Sequence, residues 1–150
     1  MLVINIAFIN TLIYLQNTSL MILHCSFKNS NISAKGFHET NIGFFNSTFQ
    51  GTHYFLISIE NYGTAYFLTS KFRNANHLAN AMFSIRNNNA VHLVSCDFSS
   101  SKLSILVEYS RVLYISDISV KNLKLAMSNP IINNSLLFIN NIIDALPSRT

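Results

Sequence analysis

The sequence predicts an all-β chain wound into a right-handed parallel β-helix, a solenoid of about six to seven coils of about 23 residues each. Three observations predict this fold. An apolar five-residue pattern returns along nearly the whole chain, a second pattern that usually ends on asparagine alternates with it, and the composition favours strands over helices.

The composition suits one folded domain with a weakly charged surface. The 150 residues are 49% apolar, which is enough for a continuous core, so we expect a single domain over residues 1–150. Only 11% are charged, whereas 20 are Asn and 19 are Ser, so amides and hydroxyls must cover the surface. The 12 Phe favour strands, while the helix formers Ala and Glu are few.

The first pattern is a segment of the order large apolar, polar, small, polar, Phe. Four clear copies are residues 23–27, 45–49, 68–72 and 94–98; two degenerate copies are 115–119 and 139–143, and an earlier one is 4–8. Their last residues lie 19, 22, 23, 26, 21 and 24 positions apart. Turns of different length between stacked coils would produce this variation.

Alternation along a strand places the first, third and fifth residues of each segment on one face. We therefore expect Leu23, Cys25 and Phe27 to point inward, and His24 and Ser26 to point outward. The middle inward column then contains mostly small residues, as a narrow interior requires: Ile6, Cys25, Ser47, Ser70, Cys96, Asp117 and Asn141. Hydrogen bonds inside the column would satisfy its polar members.

A second strand in each coil is predicted where an inward aliphatic residue precedes an outward polar residue and, usually, Asn. Its copies are residues 15–17, 59–61, 85–87 and 132–134, with 107–109 as a variant. Asn tolerates left-handed backbone angles, so it can turn the chain where Gly, present only four times, is missing.

Charge tests this register, because outward residues of neighbouring coils lie about 4.8 Å apart. Glu60, Arg86 and Glu108 form one column of alternating charge, and Lys71 lies beside Asp97 on another face. Opposite charges meet in both places, although exposed pairs stabilise a protein by only about 0–1 kcal/mol each.

An antiparallel sandwich or barrel is the alternative fold. Sequences rich in Phe, Ser and Asn align easily with themselves, and sandwiches also have short strands at regular spacing. The period of about 23 residues favours the solenoid, because sandwich strands recur about every 8–12 residues.

The coils resemble those of pectin-lyase-like right-handed β-helix proteins. The triplets Phe8-Ile9-Asn10, Phe27-Lys28-Asn29 and Phe72-Arg73-Asn74 also resemble repeats of polymorphic outer-membrane and related surface proteins. The likeness covers nearly the whole chain, but these short motifs specify a coil rather than an activity.

The resemblance implies a search for an enzyme site, since polysaccharide lyases and hydrolases of this shape need clustered carboxylates with a cation nearby. The six carboxylates here are dispersed: Glu39, Glu60, Asp97, Glu108, Asp117 and Asp144. Asp97 is expected to face outward and Asp117 inward. The candidates for catalysis are Glu60 and Glu108, with Arg86 between them, and the other interpretation of these three is a charge ladder without catalytic function.

No cofactor or metal site is predicted. The five histidines, His24, His38, His53, His77 and His92, lack the spacing of metal ligands, and no Cys lies near enough in sequence to complete a zinc site. Cys25 and Cys96 would lie three coils apart, about 14 Å, which is too far for a disulfide. We expect free, buried thiols.

The ten basic residues are scattered, so nucleic-acid binding is not predicted. Residues 1–16 are apolar, but Asn5, Asn10 and Thr11 interrupt them and no basic segment precedes them. A first strand or coil is therefore favoured there over a targeting segment, and no other window predicts a firm membrane span.

The first coil starts at the initiator Met and the last one stops near Asp144 without recognisable caps. This predicts a fragment of a longer solenoid, able to associate end to end through open strand edges. By resemblance, we expect a non-catalytic structural or adhesive segment of an extracellular or cell-surface protein, with carbohydrate or another surface protein as partner. The alternatives are a carbohydrate-binding or degenerate lyase- or hydrolase-like β-helix, and a truncated remnant without independent function.

Overall fold

The computed structural model describes residues 1–37, 39–51, 57–74, 82–86, 88, 90–109, 112–128 and 136–144. The regular structure in these ranges is β-strand, and the pairings between strands are parallel. The prediction of an all-β parallel solenoid is confirmed. We infer the right-handed sense from the hand that parallel crossover connections almost always take.

The strands are short through the first four coils and merge into longer ones afterwards. In chain order they are β1 (Leu2–Ile4), β2 (Ala7–Ile9), β3 (Leu12–Gln16), β4 (Leu20–Leu23), β5 (Ser26–Lys28), β6 (Asn31–Lys35), β7 (Asn41–Phe45), β8 (Thr48–Gln50), β9 (Ile57–Glu60), β10 (Thr64–Leu68), β11 (Lys71–Arg73), β12 (Phe83–Arg86), β13 (Ala90–Val94), β14 (Asp97–Glu108), β15 (Val112–Ser128) and β16 (Leu136–Asp144).

Each coil has three sides, and equivalent strands stack into three faces. The first face contains β1, β4, β7, β10, β13 and the starts of β15 and β16. The second contains β2, β5, β8, β11, the start of β14 and later parts of β15 and β16. The third contains β3, β6, β9, β12 and the ends of β14 and β15.

Each five-residue segment is a corner between the first and second faces, which corrects its interpretation as one strand. In the second coil, β4 ends at Leu23, His24 adopts φ 53°, and β5 begins at Ser26. Because this left-handed residue breaks the alternation, Leu23 is only half-buried, and the prediction that it points inward is wrong. Cys25 and Phe27 are buried and Ser26 is exposed, as predicted.

Asp117 takes the same corner position in a later coil, so the prediction that it points inward is also wrong. Strand pairing aligns Ser116 with Val94 and Val120 with Phe98, which moves the fifth copy of the segment to residues 116–120 and the sixth to 140–144. Asp117 has φ 54° and is exposed, and its Oδ2 accepts a 2.6 Å hydrogen bond from Ser116 Oγ. Ile118 fills the inward column instead, which avoids the cost of burying a carboxylate. The side chain of Asn141 lies outside the described part of the chain.

Asparagine turns the chain at all three corners, as its abundance predicts. Positive φ angles occur at Asn5, Asn10, Asn17, His24, Asn29, Asn46, Asn61, Thr69, Asn74, Ser95, Tyr109 and Asp117 and at no described glycine. Asn61 and Tyr109 end third-face strands where the second pattern places them. Residues 87 and 132–134, which complete two other copies, lie outside the described residues.

A ladder of stacked phenylalanines runs through the interior behind the second face. Ring centroids of Phe8, Phe27, Phe49, Phe72 and Phe98 follow one another at 5.0, 4.8, 4.6 and 4.3 Å. Their planes lie within 11° of parallel, and this spacing matches the strand separation. Each fully buried ring contributes about 1.5–3 kcal/mol by burial, so the ladder is a major source of stability.

The column of small residues beside the ladder satisfies its own polar atoms. Ser47 Oγ accepts a hydrogen bond from the backbone N–H of Cys25 at 3.2 Å and donates to the carbonyl of Phe45 at 3.0 Å. Ser70 Oγ repeats this one coil further along, accepting from the N–H of Ser47 at 3.3 Å. Cys25 and Cys96 in this column are free and buried, as predicted.

A buried amide secures the corner after the third face. Asn88 is 1% exposed; its Oδ1 accepts from the backbone N–H of Tyr62 at 2.7 Å, and its Nδ2 donates to the carbonyl of Ile59 at 3.0 Å. Tyr62 is fully buried, and its hydroxyl lies 3.4 Å from the carbonyl oxygen of Thr18. Side-chain contacts therefore link the first, third and fourth coils here.

We expect the Cys96 thiol to resist thiol reagents until the protein unfolds. Burial raises the pKa of Cys96 from 9.0 to about 12, so at pH 8 the thiolate should be about a thousandfold scarcer than in an unfolded chain. The measurement is the rate of reaction with a chromogenic disulfide in a Cys25→Ser variant, before and after addition of urea. Cys25→Ser is a suitable background, because serine already occupies the same column at Ser47 and Ser70. Rapid reaction in the folded state would contradict the burial of this column.

Candidate functional site

The outward side of the third face carries a column of four charged residues. Strand pairing aligns Lys35 on β6 with Glu60 on β9, Glu60 with Arg86 on β12, and Arg86 with Glu108 on β14. The structure thus brings together the three candidates from the sequence, Glu60, Arg86 and Glu108, and adds Lys35. We call these four residues the charged column.

Within the charged column each carboxylate has a cation beside it. Arg86 Nε and Nη2 donate to Glu108 Oε2 at 2.9 and 2.6 Å, and Lys35 Nζ lies 3.8 Å from Glu60 Oε1. The hydrogen bond and charge of Glu108 raise the pKa of Arg86, with smaller contributions from Glu60 and Tyr109, so this guanidinium stays protonated. The column is neutral as a whole.

This arrangement suits a charge ladder better than an acid–base pair. Two strand spacings separate Glu60 from Glu108, about 9.6 Å, at the upper limit of the carboxylate separation in inverting glycosidases. Arg86 occupies the position between them where a substrate and its water would have to bind, and its guanidinium bonds Glu108 directly.

A second charge pair confirms the register on the second face. Lys71 aligns with Asp97 in neighbouring strands, as predicted. Burial alone would raise the pKa of Asp97, but hydrogen bonds from Ser99 and the charges of Lys71 and Arg73 outweigh it and lower the pKa below its ordinary value. Asp97 therefore contributes stability above the unfolded-state pKa of Asp, and this contribution is lost as the pH falls through its lowered pKa.

A hollow of about 320 Å³ lies next to Lys35, and sequence reasoning missed it. Its lining consists of Gln16, Asn17, Lys35, Gly36, Phe37 and Asn61, which come from three successive coils. Phe37 is 63% exposed, whereas the other phenylalanines whose burial is described are buried or half-buried. We call these six residues the amide hollow.

The local backbone explains why Phe37 projects into the amide hollow. A side chain at Gly36 would place its Cβ 2.9 Å from the ring of Tyr62 and 2.5 Å from Thr40 Oγ1, so only glycine fits. Thr40 Oγ1 accepts from the N–H of Phe37 at 3.1 Å and donates to its carbonyl at 2.7 Å, which closes the turn. The Gly36-Phe37 pair between two strands was the available sequence signal.

The chain matches no protein-family model, no curated protein and no solved structure. Functional inference therefore rests on the stacked coils and on the side chains that they align.

Within the described ranges, no three His, Cys, Asp or Glu side chains lie together as a metal site requires. The same part of the chain contains no helix long and apolar enough to cross a bilayer. His38, His53 and His77 lie outside the described residues, and so does the side chain of Asp144.

Proposed function

We propose that the chain is a non-catalytic structural segment of a surface or secreted protein, which presents extended polar sides to carbohydrate or to another surface protein. The observation that carries the proposal is the in-register stack itself. Five rings in contact hold the coils together, and outward residues repeat above one another on the sheet faces. Solenoids use such continuous surfaces for binding.

The charged column supports a structural function for Glu60 and Glu108. Arg86 donates two hydrogen bonds to Glu108, and Lys35 Nζ lies 3.8 Å from Glu60 Oε1, so side chains of the column itself already engage both carboxylates. The sequence resemblance to pectin-lyase-like β-helices and to surface-protein repeats supports the same proposal, including the location outside the cell.

An assay for bond cleavage tests this proposal. The chain, a Glu60→Gln/Glu108→Gln variant and a Glu39→Gln control would be incubated with polygalacturonate and with neutral glucans, and new reducing ends and unsaturated products would be measured. We expect no cleavage by any of the three proteins. Cleavage by the wild type that the double substitution abolishes and Glu39→Gln preserves would establish a catalytic site and overturn the proposal.

Carbohydrate binding at the amide hollow is the second candidate function. An exposed ring beside three amides and one ammonium group offers apolar contact and hydrogen bonds to a sugar at the same time. Electrophoresis through a gel that contains polysaccharide tests this binding, because the polysaccharide slows a protein that binds it. Phe37→Ala should weaken retention about three- to tenfold if the ring contributes a stacking contact. Tyr14→Ala, which removes another exposed ring at 74% exposure, should leave retention unchanged.

End-to-end association belongs to the same proposal. Val3, Phe8, Ile13 and Leu15 of the first coil are only half-buried, and they border an apolar space of about 240 Å³. Such a surface suits the stacking of a further coil, from this chain or from another.

A further inference from the structure

The first face has the amino-acid composition of a sheet whose two sides are both buried. Its strands β4, β7, β10 and β13 have the sequences LMIL, NIGFF, TAYFL and AVHLV, which are nearly continuous apolar runs. Parallel strands have this composition when both sides of their sheet are buried. One side of the first face packs into the core, and no described element covers the other.

The uncovered side, which we call the apolar side, carries no charged side chain on its described strands. Its residues form two rows that cross the strands. The row at the middle of the strands contains Met21, Gly43, Tyr66, His92 and Tyr114, and the row near the strand ends contains Leu23, Phe45, Leu68 and Val94. The outward sides of the other two faces carry Lys28, Lys71, Arg73 and Asp97, or the charged column. Burial lowers the pKa of His92, which favours the neutral form of its ring.

A row of rings and a groove occupy opposite ends of the apolar side. The rings of Tyr66 and His92 stack at 5.0 Å, and those of His92 and Tyr114 lie 5.6 Å apart. The row stops at Gly43, where a groove of about 310 Å³ opens between Met21, Phe45 and Tyr66. A Cβ at Gly43 would collide with the ring of Phe45.

The stacked rings favour a protein partner over a sugar. Because Tyr66 and His92 cover each other's faces at an interplanar angle of 19°, they present their edges outward. A sugar stacks on ring faces, whereas apolar side chains pack well against ring edges and aliphatic groups.

We propose that the apolar side binds a second copy of this chain in an antiparallel arrangement about a twofold axis. An axis between the rungs of Tyr66 and His92 exchanges those two rungs and also exchanges Gly43 with Tyr114. The ring of Tyr114 in each copy then lies over the groove at Gly43 in the other. The surface is self-complementary, which a twofold interface requires.

Area and charge both suit this partner. Five residues by six stacked strands cover about 16 Å by about 29 Å, so two copies would bury on the order of 1,000 Å², which is the lower limit for a specific interface. No charged side chain of the strands loses its hydration. The Met1 ammonium at the edge of the groove is bonded to the carbonyl of Ser19 at 2.8 Å.

Sedimentation velocity over a range of concentrations tests the dimer. We expect the wild type to dimerise. Tyr66→Glu should weaken the dimer at least about tenfold, and Ser58→Glu should leave it unchanged. Ser58 is outward and half-buried in the preceding coil and on the third face, so it controls for the added charge. Circular dichroism shows whether each variant keeps its strands. A monomeric wild type, or equal effects of both substitutions, overturns the proposal.

Crosslinking tests the arrangement in a Cys25→Ser/Cys96→Ser background. Packed sheets lie about 10 Å apart, beyond the reach of a disulfide, so a short bis-maleimide is the probe. Met21→Cys and Tyr114→Cys proteins should crosslink when mixed and not when treated separately, because the axis places residue 114 of one copy one rung from residue 21 of the other. Equal crosslinking of the separate proteins, or none in the mixture, excludes this arrangement. End-to-end contact would then be the remaining mode of association.

Discussion

Replacing Phe49 with Asp should abolish cooperative folding, whereas the same change at the next residue should be nearly neutral. Phe49 is fully buried at the centre of the ladder, between Phe27 at 4.8 Å and Phe72 at 4.6 Å. Removing a buried Phe costs about 3–5 kcal/mol, and burying an unpaired carboxylate adds several more. The total exceeds the stability of many domains of this size, about 5–15 kcal/mol.

Gln50→Asp is the matched control, because it adds the same carboxylate one position along the chain. Gln50 is exposed and aligns with Lys28 on one side and Arg73 on the other, so the new charge would lie between two cations. We expect a change within about 0.5 kcal/mol. Urea unfolding followed by circular dichroism measures both variants. Equal tolerance of the two substitutions would show that the ladder is not the core of the protein.

Replacing Asn88 with Leu should cost about 2–5 kcal/mol, although it buries a more apolar side chain. The substitution leaves the N–H of Tyr62 and the carbonyl of Ile59 buried without their present partners, and each such loss costs about 1–3 kcal/mol. The free energy of unfolding from urea titration measures the effect. A loss below about 0.5 kcal/mol would mean that water reaches this corner.

Asn88→Asp provides a control whose effect on stability should depend on pH. The new side chain keeps an acceptor for the N–H of Tyr62, but its carboxylate cannot donate to Ile59 and is buried, so its folded-state pKa should be raised. The unfolding free energy of this variant relative to the wild type should therefore rise as the pH falls through that pKa, because the neutral carboxyl can donate. A loss of unfolding free energy that did not change with pH would contradict the hydrogen bond from residue 88 to Ile59.

The repeat and its vertical neighbours could be predicted from the sequence because a parallel solenoid converts sequence spacing directly into contacts. The phase of the Phe residues was enough to place Phe27 and Phe72 on either side of Phe49. Opposite charges at matching positions were enough to place Arg86 beside Glu108. Both predictions needed only the period and the direction of each side chain.

The corner was not predictable from alternation, because one left-handed residue reverses the phase. His24, Thr69 and Ser95 occupy this position as readily as Asn does, so residue type alone does not mark it. In the fifth copy Val120 stands where the other copies have Phe, and Ile115 resembles the first residue of the segment. These two features shifted the sequence alignment by one residue, and the shifted alignment wrongly predicted that Asp117 points inward.

The amide hollow was not predictable either, because its residues share no motif. Gln16, Lys35 and Asn61 come from three coils and meet only through stacking and through the tight approach of Gly36 to Tyr62. Similarly, the uncharged first face is visible in the sequence only after its strands have been separated from those of the other two faces.

Differences in coil length are concentrated away from one corner of the solenoid. The inward residues before and after the first corner are always five positions apart, as in Ile22 and Phe27 or Phe67 and Phe72. By contrast, the connection from the second to the third face runs from Lys28 to Asn31 in one coil and from Arg73 to Phe83 in another. The chain can thus gain or lose residues along this edge while the ring ladder stays in place. Evolution of new recognition loops on such a protein requires only insertion at an edge, with no redesign of its interior.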